Sequence, residues 1–197
     1  MRKTLLALVV IALLWAGYIA WPLYALTTLV QAIDARDVNA VVRHVNFGRL
    51  RISLTQQIVS AYVQMSGIQA SPLAQQAMVG VGLSIADPVI SKLVSAQAVS
   101  DLLSAGWPVG VIAEPPPSGS IGINTETLGT AWQIFSAAQY GIGRFQVSAP
   151  SVLPTPNRFQ LTFQLLAWRW QLVSITLPGN IANLLANEVT KAVRERR

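Results

Sequence analysis

Apolar and polar positions change their rhythm three times along this chain of 197 residues. From Leu5 to Trp15 the apolar run is unbroken, and after Arg2 and Lys3 no charged side chain appears until Asp34. As a helix, Thr4–Trp21 reaches about 27 Å, close to a hydrocarbon thickness of roughly 30 Å, which predicts one membrane-spanning segment. A buried helix of a soluble core would carry a polar stripe, and this segment has none. Beyond Pro22, Leu23, Leu26, Leu29, Val30 and Ile33 recur every three or four residues and predict an amphipathic helix to about Ala35, so anchor and domain form one bent rod. Asp37 stands at the N-cap of a short helix, Val38–His44. Phe47, Leu50, Leu54, Ile58 and Tyr62 predict a third helix to about Met65, closed by Ser66-Gly67. Pro72 marks the first turn of a helix over 71–80, and Asp87-Pro88 opens another over Val89–Leu103. A long exposed loop, rich in proline and glycine, follows from Gly106 to Asn124. Thr125–Ala138 then resumes helix with Leu128, Trp132 and Phe135 on a common face.

After Gly141-Ile142-Gly143 the period becomes two. Phe145 and Val147 alternate, then Phe159, Leu161, Phe163 and Leu165, then Trp168, Trp170 and Leu172, which predicts an antiparallel meander turning at Leu166-Ala167. In this register Trp168 and Trp170 point the same way, either flooring a ligand cavity or filling the seam between sheet and helices. Pro178-Gly179 ends the last strand, and Ile181, Leu184, Leu185, Val189 and Ala192 predict a final helix with a basic end. The fold class is therefore α+β: an N-terminal transmembrane helix, then several helices packed on a small antiparallel sheet. The expected divisions are an anchor over 1–22, an α+β domain over 23–178 and a basic helix over 179–197.

A removable signal peptide needs small residues at positions −3 and −1 of its cut site. Cutting after Ala20 places Tyr18 at −3, and cutting after Ala25 places Leu23 there, so the reading is an uncleaved signal anchor. Tyr18, Trp21 and Tyr24 suit the level where hydrocarbon meets headgroup. Arg2 and Lys3 flank one end while the other has no Lys or Arg until Arg36, which predicts an N-in, single-pass inner-membrane protein with a periplasmic C-terminal domain.

Charged residues make up only 11% of the chain, so part of the exterior is covered by neutral polar side chains, membrane or partner. The formal net charge is +6, yet the charges are spread thinly and no zinc-finger spacing or RNA-binding aromatic signature accompanies them, which speaks against nucleic acid. Nearest the anchor, Arg36, Arg43, Arg49 and Arg51 stand against Asp37, a net positive cluster suited to anionic lipid or simply to a solvated face. With no cysteine and His44 the single histidine, the usual metal-ligand spacings are missing and no cofactor is expected. A triad of Ser53, His44 and Asp37 can be drawn on paper, but no nucleophile elbow supports it, so no catalytic residue is assigned.

Leu29, Ala32, Ala35-Arg36-Asp37, Val45-Asn46-Phe47, Leu50-Arg51 and Ser53-Leu54, with Phe163, Trp170-Gln171-Leu172, Ile175 and Leu177-Pro178, together resemble an uncharacterised bacterial family, domain of unknown function 2939. The resemblance covers most of residues 20–178 and implies an N-terminal membrane segment; it carries no catalytic residues. Family members tend to have Asp where this chain has Asn46. The succession of elements is also similar to cystatin-like cones, by fold analogy alone. The leading expectation is a non-catalytic binding or assembly module of the cell envelope, in contact with the bilayer and with anionic lipid or another envelope protein. Arg36, Arg43, Arg49, Arg51, Trp168 and Trp170 are its candidate contact residues. The alternative is a carrier of a small apolar ligand or lipid in a cavity between sheet and helices.

Overall fold

The computed structural model of the chain describes residues 2–65, 89–112 and 120–194. Helix α1 (Arg2–Asp34) is one helix of 33 residues running through Pro22, about 50 Å long at 1.5 Å per residue. Its two halves have different surroundings. From Leu6 to Tyr18 the side chains are exposed, whereas Leu26, Leu29, Val30 and Ile33 are buried, the i, i+3, i+4, i+7 face that the apolar spacing predicts. The helix stops because Arg36 turns left-handed at φ 53°. The Asp37 amide then donates to Ala32 O and the Arg36 amide to Ile33 O, which satisfies carbonyls of the last turn. Asp37 next caps α2 (Val38–His44), its Oδ1 accepting from the Ala40 amide at 3.0 Å. Helix α2 folds back along α1, bringing His44 Nε2 to 3.3 Å from Thr28 Oγ1.

Helix α3 (Phe47–Met65) buries Leu50, Leu54 and Ile58, and α4 spans Ala96–Ala105. A short α5 (Ala131–Ala137) leads into a meander of β1 (Gln139–Gly141), β2 (Arg144–Ala149), β3 (Phe159–Leu166) and β4 (Arg169–Thr176). All pairings are antiparallel in the order β1-β2-β3-β4. Phe145 opposes Phe163, Val147 opposes Leu161 and Ala149 opposes Phe159, so one face is apolar and alternates with a face of Gln, Ser and Thr. The final helix α6 (Gly179–Arg194) packs along α3, and its Ile181, Leu185 and Val189 join the same core as the sheet and the inner half of α1.

Strand β4 is an edge, and an unpaired edge invites pairing with another chain. Here it is closed from within the fold. The Asn46 amide donates to Leu172 O at 2.8 Å. Further along, the Gln57 side-chain amide imitates a strand: Nε2 donates to Ile175 O and Oε1 accepts from the Leu177 amide, each at 2.9 Å.

Several expectations need correction. The helix expected over Val89–Leu103 is broken: residues 89–93 are helical, the chain turns at Val94, and Ser95 caps α4 by accepting from the Ala98 amide. Thr125–Ala138 is not one helix either. Gly129 takes φ 90°, which no right-handed helix contains, and Thr130 with Gln133 forms a capping box that starts α5 at Ala131. The last hairpin turns at Ala167-Trp168, both left-handed at φ 46° and 61°, one residue beyond the expected turn. Trp168 therefore leaves the strand and is 80% exposed, while Trp170 is 5% exposed, so the two do not share a face. The Ser66-Gly67 stop, the 71–80 helix, Gly80-Val81-Gly82, Asp87-Pro88 and Pro115–Gly119 lie outside the described residues.

Candidate functional site

Several exposed apolar side chains lie at or beside one end of the sheet. The β1–β2 turn sits against α1: the Tyr18 hydroxyl donates to Gly141 O at 3.3 Å and accepts from the Gly143 amide at 2.9 Å. The Gly143 carbonyl in turn accepts from the Leu165 amide. The β3–β4 turn is at the same end of the sheet, because both turns follow from one register in which Arg144 faces Gln164. Ile142 at the first tip and Trp168 at the second are bare to solvent. Helix α5 adds Trp132, 73% exposed, and Phe135. From Trp132 a file of rings leads inward through Phe135, Tyr140 and Phe145 to Phe163, with successive centroids 5.2–6.0 Å apart. Burial pushes the Tyr140 phenol above its ordinary value, so the ring stays neutral. Trp15, Tyr18, Ile19, Phe135, Tyr140 and Ile142 line a groove of about 340 Å³ between α1 and the first tip.

The four arginines singled out in the sequence are not gathered at one place. Arg36 is held in the turn at the far end of α1, where its backbone conformation is its contribution. Arg49 donates to Gln164 Oε1, and Asn46 Nδ2 donates to the neighbouring Gln171 at 3.1 Å. Arg51, two residues beyond Arg49, projects from a different side of α3 and is half-buried. Arg43 meets Arg169, whose guanidinium reaches the Arg43 carbonyl at 3.5 Å. Space thus replaces Arg36 and Arg51 by Arg144 and Arg169, each placed directly after an apolar tip. The structure also brings in Ile142 and Trp132, which the alternation and helix patterns do not single out. Trp170 is a core residue opposite Leu165, with its Nε1 unpartnered.

Elsewhere the polar chemistry is committed to the fold. His44 hydrogen-bonds through Nδ1 to Ala40 O at 2.8 Å, and its Nε2 lies 3.3 Å from Thr28 Oγ1. Ser53 Oγ pairs with Ser174 Oγ at 2.6 Å, and Asp37 caps α2, so Ser53, His44 and Asp37 have separate partners. Asp34 accepts from the Thr125 amide and hydroxyl at 3.0 and 2.8 Å. Among the described residues no three of His, Asp and Glu converge as metal ligands. Two further open grooves occur: about 200 Å³ beside Trp107 and Phe159, and about 420 Å³ lined by Ser, Gln, Thr and Asn between α3, β4 and α6.

Helix α1 is long and apolar enough to cross a membrane. Residues 11–105 match the family model described as protein of unknown function (DUF2939), which bears out the resemblance over that stretch and leaves the Phe163–Pro178 segment outside the match. No curated protein and no solved structure matches the chain.

Proposed function

We propose that the chain is a single-pass protein of the inner membrane, N-terminus inside and folded domain in the periplasm, that serves as a non-catalytic binding or assembly module of the envelope. The observation that carries this reading is the division of α1. Its outer half is apolar and bare, its inner half supplies Leu26, Leu29, Val30 and Ile33 to the core, and no break separates them. A helix left so exposed is unfavourable in water by the area it fails to bury and favourable in lipid. The domain is then held at fixed height over the bilayer, as a scaffold requires and a diffusing carrier does not. The seam between sheet and helices favours binding at the surface over carriage inside, because Phe145, Phe159, Phe163 and Leu172 fill it at 0–1% exposure. A ligand the size of an acyl chain needs a pocket of several hundred Å³ that encloses it.

The test is Leu8→Arg with Leu13→Arg, two side chains that touch nothing in the core. Each arginine near the middle of a spanning helix costs about 2.5–3.5 kcal/mol of insertion, so the double variant is expected to leave the membrane fraction after an alkaline carbonate wash. Retention equal to the parent chain would overturn the anchor.

A further inference from the structure

We propose that the domain has a second membrane contact of its own: the two hairpin tips enter the leaflet on the domain's side, with Phe135 of α5 beside the first tip and Arg144 and Arg169 on anionic phospholipid phosphates. This rests on the anchor reading and follows from its geometry. If Lys3 lies at the inner edge of the hydrocarbon, Tyr18 is about 22 Å along α1, whereas the far edge lies at roughly 30 Å. The level of Tyr18 is therefore about 8 Å inside the hydrocarbon, and any tilt of the helix places it deeper. The first hairpin tip is pinned at that level by the Tyr18 hydroxyl. The domain cannot stay clear of the bilayer unless that clasp opens.

The tip has the properties that immersion demands. Backbone groups in lipid must find partners within the protein, and Gly141 O, the Gly143 amide and Gly143 O are satisfied by Tyr18 and Leu165. From Thr127 to Gly143 no residue is charged. The side chains presented are Ile142, Phe135 beside it and, from the second tip, Trp168. Trp168 is the most telling, because a left-handed backbone costs a non-glycine residue about 1–2 kcal/mol. Its 80% exposed indole returns little of this to the fold. An observed outlier of this kind points to function at the tip.

Charge completes the match. Arg144 follows Ile142 by two residues, up to about 7 Å along the strand at 3.3 Å per residue, which brings its backbone to about the edge of the hydrocarbon, from where the long side chain extends to the phosphates. Arg169 follows Trp168 directly, and Arg43 and Arg49 stand beside them through Arg169 and Gln164. Asp34 is at the other end of α1, about 24 Å from Tyr18, and accepts from Thr125, while Asp37 accepts from the Ala40 amide, so both carboxylates have partners of their own. The groove of about 340 Å³ between Trp15, Tyr18 and Ile142 opens at the same depth and is the place for an acyl chain.

The chain has no cysteine, so single labelling sites are clean. The full-length variants Ile142→Cys, Trp168→Cys, Leu8→Cys and Asn183→Cys, each carrying an environment-sensitive fluorophore, are reconstituted into phosphatidylcholine vesicles with and without phosphatidylglycerol. Positions 142 and 168 are expected to emit to the blue and to be quenched by lipid spin-labelled near the headgroup, position 8 by lipid labelled deep in the chain, and position 183 by neither. Quenching at position 8 with none at 142 and 168 would overturn the second contact while leaving the anchor intact. No quenching at position 8 would overturn the anchor, and the second contact with it. Adding Arg144→Gln and Arg169→Gln to the Ile142→Cys chain should reduce quenching only where phosphatidylglycerol is present. An equal loss in neutral vesicles would refute anionic phosphate as the partner.

Discussion

Replacing Gln57 tests the closure of the sheet edge directly. In the parent chain its amide spans two backbone groups of β4 and the residue after it, Ile175 O and the Leu177 amide, at 2.9 Å each. Gln57→Leu keeps the bulk and removes both partners. Each hydrogen bond contributes about 1 kcal/mol net, and each backbone group left dry adds about 1–3 kcal/mol. Both groups are only part-buried, so some water reaches them, and the expected cost is about 2–4 kcal/mol. Urea unfolding of the full chain in a mild detergent, followed by tryptophan emission, reads this as a lower midpoint at constant slope. Hydrogen exchange supplies the local readout: the Leu177 amide should lose its protection. Gln57→Glu retains an acceptor for Leu177 but sets an anionic oxygen against Ile175 O, so it should be destabilised while Leu177 stays protected. Gln56→Leu, at an exposed neighbour on the same helix, is the control and should move stability by no more than about 0.5 kcal/mol. A Gln57→Leu midpoint equal to that control, with Leu177 still protected, would refute the account of how β4 is closed.

Two further substitutions probe backbone geometry. Arg36→Gly relieves a left-handed arginine at the end of α1 and should stabilise the protein by about 1 kcal/mol, the strain removed less the added freedom of the unfolded glycine; a lower unfolding midpoint would mean that the guanidinium contributes more than the turn. At Gly122 an added Cβ would stand 1.8 Å from Ser104 O, where the chain crosses the end of α4. Gly122→Ala should therefore cost at least about 3 kcal/mol, the upper end for overpacking; unfolding at the parent midpoint would show that α4 and the 120–123 segment do not meet so closely.

Much of the architecture was legible in local signals. Asp37 as a cap, the bounds of α3 at Phe47 and Met65 and the period-two alternation of β2 to β4 all depend on near neighbours in sequence, and each appears in the structure. Two misreadings had local evidence that was outvoted: Gly129-Thr130 with Gln133 is a start signal for α5, and Ser95 a start signal for α4, yet apolar spacing ran through both. The shift of the last turn to Ala167-Trp168 had none, because two non-glycine residues at positive φ are imposed by strand register. The residues of the proposed lipid contact were the least legible. Proximity in sequence singled out Arg36 and Arg51 with Arg43 and Arg49, whereas strand pairing and the Tyr18 clasp bring together Arg144, Arg169 and Ile142 from segments apart in sequence. Trp168 was singled out, though as sharing a face with Trp170 to floor a cavity or fill the seam, and its exposure at a turn tip comes from the same register that buries Trp170.

If the outer half of α1 lies in lipid as proposed, a cut at the bilayer surface would leave Leu26, Leu29, Val30 and Ile33 with the domain but shorten their helix to about 13 residues. So short a helix is marginal by itself and depends on its packing, so the trimmed domain would fray first at Pro22 to Ala25, and stability would register whether the outer half is still attached.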